Sequence, residues 1–229
     1  MKIISTKSNL QILHEDNHII VVNKRVGDIV QGDKTGDKPL SDVVKEYIKD
    51  KYNKPGEVFL GVVHRLDRPT TGIVVFARTS KALTRMNELF SNRETQKTYW
   101  AIVKNRPLKD ENNLIHYIHR NEKNNTSKAY IKEVPESKLA SLSYKIIATL
   151  NNYFALEINL HTGRHHQIRA QLSAIGSPIK GDLKYGFDRS NPDGGIHLHA
   201  RKLVFIHPVS KENLTLVAPV PNDVIWLAV

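Results

Sequence analysis

Short apolar runs separated by turns dominate the hydrophobic pattern of this chain. Leu10 to Asn23 reads as two strands, Gln11–Glu15 and His18–Asn23, around a turn at Asp16-Asn17. Val62-Val63 and Ile73-Val74-Val75-Phe76 read as short buried strands, and Lys97–Val103 as another. Leu139–Leu150 and Tyr153–Leu160 alternate and predict a hairpin turning at Asn151-Asn152, with Phe154, Leu156, Ile158 and Leu160 on one face. Helical spacing occurs in three places. Leu40 to Tyr52 carries Leu40, Val43, Val44, Tyr47 and Ile48 on one side, with Ser41 placed to cap it. A second helix, capped by Thr79 or Ser80, carries Leu83, Met86, Leu89 and Phe90. A third carries Ile168, Leu172 and Ile175 and is ended by Gly176 and Pro178. Lys24 to Asp37 is Gly-rich loop without the glycine order of a phosphate-binding turn. Asn105 to Lys138 is the most polar part, interrupted by the alternating run Leu114–Ile118, and reads as a mobile excursion from the core, since strands resume at once. Strands outnumber helices, and the helices are inserted between strands. That pattern predicts an α+β fold with a mainly antiparallel sheet, in one domain spanning 1–229.

Composition narrows the class. The chain has 229 residues, 40% of them hydrophobic and 25% charged, enough to bury a sizeable core. The net charge of +11 points to a polyanionic partner, nucleic acid or a membrane surface, although a basic but inert surface also fits. Without a single Cys, disulfides, thiolate catalysis and iron–sulfur clusters are excluded. The start, Met1 to Lys7, has no apolar targeting core, and no run approaches a membrane span, so a cytoplasmic enzyme is expected.

The candidate chemistry sits between two of the apolar runs, in His64-Arg65-Leu66-Asp67-Arg68-Pro69-Thr70-Thr71-Gly72. Arg65 and Asp67 are two apart, so an extended backbone puts them on one side, with Leu66 opposite as an anchor. A carboxylate among cations stays ionised, as a nucleophile or base requires. A structural ion pair at a strand end fits the same residues. A second cluster, His161-Thr162-Gly163-Arg164-His165-His166-Gln167-Ile168-Arg169, gathers donors at a helix N-terminus, where the dipole favours anions. Tyr99, in Lys97-Thr98-Tyr99-Trp100-Ala101, is by itself equally an ordinary core aromatic. His161, His165, His166, His197 and His199 could be drawn as a zinc cluster, but no H-E-x-x-H and no suitably spaced carboxylate accompany them, so no metal is expected.

The string from His64 to Thr79 resembles the catalytic motif of the RluA-type RNA pseudouridine synthases. Lys97-x-Tyr99-x-Ala101, Thr162-Gly163-Arg164-x-His166-Gln167-Ile168-Arg169, Gly181-Asp182-x-x-Tyr185-Gly186 and the run Leu198 to Pro208 also match, so the resemblance runs from about Ile12 to Pro208. Lys24-Arg25-Val26-Gly27 departs from the family's Lys-Pro-x-Gly at Arg25.

The resemblance implies a pseudouridine synthase catalytic domain with a central mixed sheet, acting on structured RNA, ribosomal or transfer. It implies no cofactor, no metal, no membrane, and a monomer. It makes Asp67 the catalytic residue, Arg169 its partner, and Tyr99 the aromatic that lies against the target base. Arg65 is implied to displace that base. His64, Arg68, Arg164 and His165 fall where RNA is contacted. Family members often carry an extra RNA-binding domain at the N-terminus, which the dozen or so residues before the first strand leave no room for. Arg120, Lys123 and Lys128 are expected to touch RNA as well, with binding steeply dependent on salt. From His64 to Arg106 nine Lys or Arg stand against three Asp or Glu. Two other classes remain in view. One is a non-catalytic RNA-binding module. The other is a carboxylate-based hydrolase, for which Asp182 is the second acid to test.

Overall fold

A computed structural model describes residues 3–229; Met1 and Lys2, part of the N-terminal stretch read above, lie outside the described residues. In chain order the elements are β1 (Ile12–Glu15), β2 (Ile19–Lys24), α1 (Leu40–Lys51), β3 (Gly61–Val62), β4 (Thr71–Ala77), α2 (Ser80–Ser91), β5 (Gln96–Val103), β6 (Glu111–Asn121), β7 (Thr126–Tyr130), β8 (Lys138–Thr149), β9 (Phe154–Leu160), α3 (Gln167–Ala174), β10 (Leu198–Ile206) and β11 (Asn213–Val217). The fold is α+β, and the pairings β1·β2, β2·β4, β3·β4, β5·β9, β6·β7, β6·β8, β8·β9 and β10·β11 are antiparallel. The chain forms two compact units. Among the described residues the first holds 3–95 with Ala200–Pro221, and the second Gln96–His199 with Asn222–Val229.

In the first unit β2 and β4 are buried along their whole lengths. Both faces are covered, which is why their sequences are continuous apolar runs instead of alternations. Ile20, Val22, Val74 and Phe76 pack under Leu40, Val43, Val44 and Ile48 of α1. Ile19, Val21, Ile73 and Val75 pack against Met86 of α2 and against Leu203, Phe205 and Leu216 of β10 and β11. Thr79 caps α2, its side chain accepting from the Ala82 N–H. Ser41 does not cap α1. Pro39 holds the N-cap position with its ring setting φ at −76°, and no side-chain cap is made. One edge of β4 pairs with β2; β3 and β10 share the other. At Gly72 (φ +113°) a Cβ would come within 3.0 Å of the backbone N, C and O of Ala200, so the motif glycine lets two backbones meet.

In the second unit the strand order is β5-β9-β8-β6-β7. Ala101, Val103, Leu114, Leu142, Tyr144, Leu156 and Ile158 form one covered face, packed against Ile168 and Leu172 of α3 and against Ile179 and Ile196. The hairpin at Asn151-Asn152 forms as the alternation predicts. Residues 105–138, read above as a polar excursion, carry β6 and β7, whose inward residues Leu114, His116, Ile118 and Ser127 are buried.

His116 shows how a polar residue is accommodated in that row. The Gln171 amide lies 3.1 Å from its Nδ1, and burial pushes its pKa below the usual imidazole value. Burial does the same to His197, partly offset by Asp223 at 3.1 Å. Below about pH 6.5 an unfolded imidazole takes up a proton that these folded ones resist. The unfolded state then binds more protons, so stability falls as pH drops through that range. Thermal melts should show this between pH 7.5 and 5, and His116→Asn should flatten the decline.

Candidate active site

The segment around Asp67 is a clamped turn between the end of β3 and the start of β4. β3 stops after Val62, where its register with Phe76 of β4 ends. The next ladder position is filled by a side chain: His64 Nε2 accepts from the Val75 N–H at 3.2 Å, and its ring stacks on Phe90 of α2 at 4.8 Å. His64 thereby pins the departing chain to both β4 and α2. Asp67 to Thr70 closes as a turn, the Thr70 N–H donating to the Asp67 carbonyl at 3.0 Å. Its carbonyls are taken up from below. Lys24, 1% exposed, donates from Nζ to Thr70 O at 2.7 Å and to Arg68 O and Arg25 O at 3.1 Å, and Gly27 N–H donates to Arg68 O at 2.9 Å. A lysine ammonium in three carbonyl bonds fixes a turn that no regular ladder supports.

Arg25, the departure from the motif proline, keeps this turn. Its N–H, which a proline lacks, donates to Asp28 Oδ2 at 3.2 Å, and Asp28 also accepts from Ser5 N–H at 3.0 Å and Ser5 Oγ at 2.6 Å. The Arg25 guanidinium reaches Asn9 O at 2.9 Å.

Asp67 is half-buried on this turn, Arg65 is exposed, and Leu66 packs on the α1 side of the sheet, the anchor its alternation suggests. Arg68 is held by the Gly-rich loop: Nη1 donates to Asp37 Oδ2 at 2.6 Å and Nη2 to Thr35 Oγ1 at 2.9 Å.

The second cluster folds around Gln167. Its Oε1 accepts from Thr162 Oγ1 at 2.7 Å and from the Arg164 N–H at 3.0 Å, and its Nε2 donates to Ser141 O at 3.0 Å. The Thr-Gly-Arg turn is thus tied to β8 and to the first turn of α3. Arg164 Nε donates to Leu139 O at 3.0 Å. His166 takes the N-cap position in a left-handed conformation, φ 50° and ψ 27°, which costs a non-glycine residue about 1–2 kcal/mol. Its surroundings determine that conformation. Its Nδ1 lies 2.8 Å from Tyr185 OH and its ring stacks on His165 at 3.8 Å. His165 Nδ1 in turn lies 2.9 Å from Ser127 Oγ. Tyr185 OH also accepts from the Ser127 N–H at 2.8 Å.

Arg169, one turn into α3, is buried and binds Asp182 in two parallel bonds, Nε to Oδ2 at 2.7 Å and Nη2 to Oδ1 at 2.8 Å. Its guanidinium lies over the Tyr185 ring at 4.8 Å. Asp182, with its side chain 1% exposed, is committed to this pair and does not supply the second acid–base carboxylate that a hydrolase requires. Tyr99 stands on β5 opposite Ile158, half-buried at the end of the Ala101–Val103 row and packed on the core of its unit.

Among the described residues no group of three or more His, Asp or Glu is disposed to hold a metal ion. The histidines drawn above as a cluster have other work: His197 bonds Asn191 at 2.9 Å and stacks on Trp226 at 5.3 Å. Nor is any helix among the described residues long and apolar enough to cross a membrane. The residues that sequence reasoning left without a role are Lys24, Ser127 and the acceptor Tyr185. Lys24 and Tyr185 lie in motifs that give them no role by themselves, and Ser127 carries no local signal.

Known proteins are similar to this chain. A family model described as RNA pseudouridylate synthase matches residues 18–174. The ribosomal large subunit pseudouridine synthase D of Xylella fastidiosa is 33% identical over 232 residues, covering 95% of this chain and 68% of that protein. The tRNA pseudouridine synthase C of Vibrio cholerae is 30% identical over 235 residues, covering 95% of this chain and 93% of that one. The solved structure of human RNA pseudouridylate synthase domain containing 4 superposes with a TM-score of 0.78 at 26% identity, covering 94% of this chain and 90% of the other. With the family model spanning more than half of the sequence, the chain belongs to the RNA pseudouridylate synthases, isomerases that convert uridine in RNA to pseudouridine.

Proposed function

We propose that the chain modifies uridines of ribosomal or transfer RNA, the substrates named for its relatives in Xylella and Vibrio, with Asp67 as the catalytic carboxylate. The observation that carries this reading is the clamped turn. Lys24, Gly27 and His64 hold the motif aspartate, half-exposed, on a fixed backbone. Preorganisation of this kind is what a positioned nucleophile needs. In the reaction the bond from N1 of uracil to C1′ of ribose breaks and a bond from C5 to C1′ forms. The proton on C5 leaves and N1 gains one. No electrons are lost or gained, so the balance requires no redox cofactor. Two routes are open to a carboxylate, capture of the ribose carbon and addition to the base, and both begin from ionised Asp67. Tyr99 packs on the uracil and accepts the C5 proton. Arg169 completes the set as the cation that keeps a carboxylate charged. The target leaves its stack to reach them, and Arg65, with a planar and permanently charged guanidinium, fills the space. Arg68, Arg164 and His165 meet the RNA backbone, and His64 holds the loop that presents Arg68. The enzyme works in the cytoplasm as a monomer.

The reading is tested by mapping pseudouridine in total RNA from cells with the gene, cells without it, and cells carrying Asp67→Asn. A site lost in both altered strains supports the activity and the residue together. A site lost on deletion but kept by Asp67→Asn overturns the role of Asp67.

Arg68 offers a smaller check. Asp37 and Thr35 occupy its guanidinium, and an exposed ion pair is worth about 0.2–1 kcal/mol. Asp37→Ala should therefore tighten RNA binding at low salt by up to about fivefold, read by fluorescence anisotropy, with the gain disappearing as salt rises.

A further inference from the structure

The outward face of β6, β7 and β8 has no part in the chemistry described above. Register places Tyr130, Tyr117 and Leu139 in one row across the three strands. Ile115 lies opposite Ser141 on one side of that row, and His119 opposite Lys128 on the other. Alternation sends Leu114, His116, Ile118, Ser127, Ala140 and Leu142 inward, where they are buried. What remains outside is a flat apolar strip, with Ile115 62% and Leu139 49% exposed. The two tyrosines stand beside each other in that strip, and the ammonium of Lys128 lies 5.1 Å from the Tyr130 ring. A sheet that needed only solubility would carry charge at these positions. The surroundings are basic: from Leu114 to Lys145 six Lys or Arg stand against three Glu.

We propose that this face is a second RNA-binding surface, on which unpaired bases of the substrate stack against Tyr117 and Tyr130 while Lys128 and His119 meet the phosphates beside them. Adjacent aromatics on an open sheet, flanked by cations, are the features that bind single strands without reading their sequence. The surface deepens the RNA-modifying function and rests on it for the class of partner. It gives the enzyme a hold on unpaired RNA that flanks a target.

The test uses the full chain and an unstructured 12-nucleotide RNA of alternating A and C, with affinity read by fluorescence anisotropy and mass by light scattering. Tyr117→Ala/Tyr130→Ala should weaken binding about 10- to 100-fold, since each stacked base contributes substantially. Tyr117→Phe/Tyr130→Phe should stay within about twofold of the wild type, because stacking needs the ring and not the hydroxyl. Lys128→Ala, at an exposed position that folding does not depend on, should weaken binding severalfold and lower the salt slope by about one. Equal affinity of the Ala pair and the wild type overturns the proposal, as does a wild type that fails to bind the oligomer. A wild-type dimer that becomes monomeric in the Ala pair also overturns it, and makes the face a self-contact. Pseudouridine formation in RNA from the deletion strain is measured in parallel. Turnover without the tyrosine effect condemns only the surface, and the tyrosine effect without turnover condemns only the catalytic reading.

Discussion

Asp67→Asn should lower turnover by about 10⁴-fold while leaving RNA affinity within about twofold. The substitution removes the charge and the nucleophilic oxygen but keeps size and hydrogen-bonding capacity. The turn itself depends on backbone carbonyls held by Lys24 and Gly27 and on the His64 ring, none of which involves the carboxylate. The variant should therefore keep the backbone of the turn. Release of tritium from RNA labelled at carbon 5 of uridine, under single-turnover conditions, reads the chemical step, and anisotropy reads binding. Near-normal release would remove Asp67 from the chemistry. A parallel loss of binding would make it an RNA contact instead.

The second large effect concerns stability. Asp182→Ala should cost about 3–5 kcal/mol, because the buried Arg169 guanidinium loses the two parallel bonds it makes to that carboxylate. For a chain of this length that is a drop in melting temperature of roughly 10 °C. The companion variant Arg169→Met/Asp182→Leu removes both charges and fills the space with apolar atoms, so it should recover part of the loss. Urea unfolding followed by circular dichroism measures both. If the single variant costs less than about 1 kcal/mol, the pair is solvated in solution and contributes little to holding α3.

Most of the element order was legible in the sequence, because each element obeys one period. The apolar runs of β2 and β4 announce strands covered on both faces, and the hairpin from β8 to β9 follows from alternation around two asparagines, broken by a register shift between Ile146 and Ala148. The cap of α2 was legible from Thr79, but the cap of α1 was not, since Pro39 stops the helix through its ring and makes no side-chain bond. The inward row of β6 was half hidden, because His116 occupies a core position that only Gln171, 55 residues away, makes tolerable. The motif segment was placed near the ends of two strands, where β3 stops at Val62 and β4 begins at Thr71, but what holds it there was not legible. The turn Asp67–Thr70 depends on a buried lysine 46 residues from Thr70. Nothing local in Lys24 distinguishes it from a surface lysine. The same holds for Asp182, whose partner is fixed by where α3 lies and not by spacing.

The division of the first unit has a consequence for synthesis on the ribosome. Its sheet is begun by β2 and β4, but β10 emerges only after Gln96–His199 has been made. At roughly 5–20 residues per second, one edge of the buried strand Thr71–Ala77 waits several seconds or more for that neighbour. During this interval only the Phe76-Ala77 end of that edge has a strand neighbour, β3, and the rest is an apolar edge of the kind that seeds association between chains. The close fit of Gly72 against Ala200 is thus among the last contacts the growing polypeptide can make, and the order of translation sets a window in which it needs shelter.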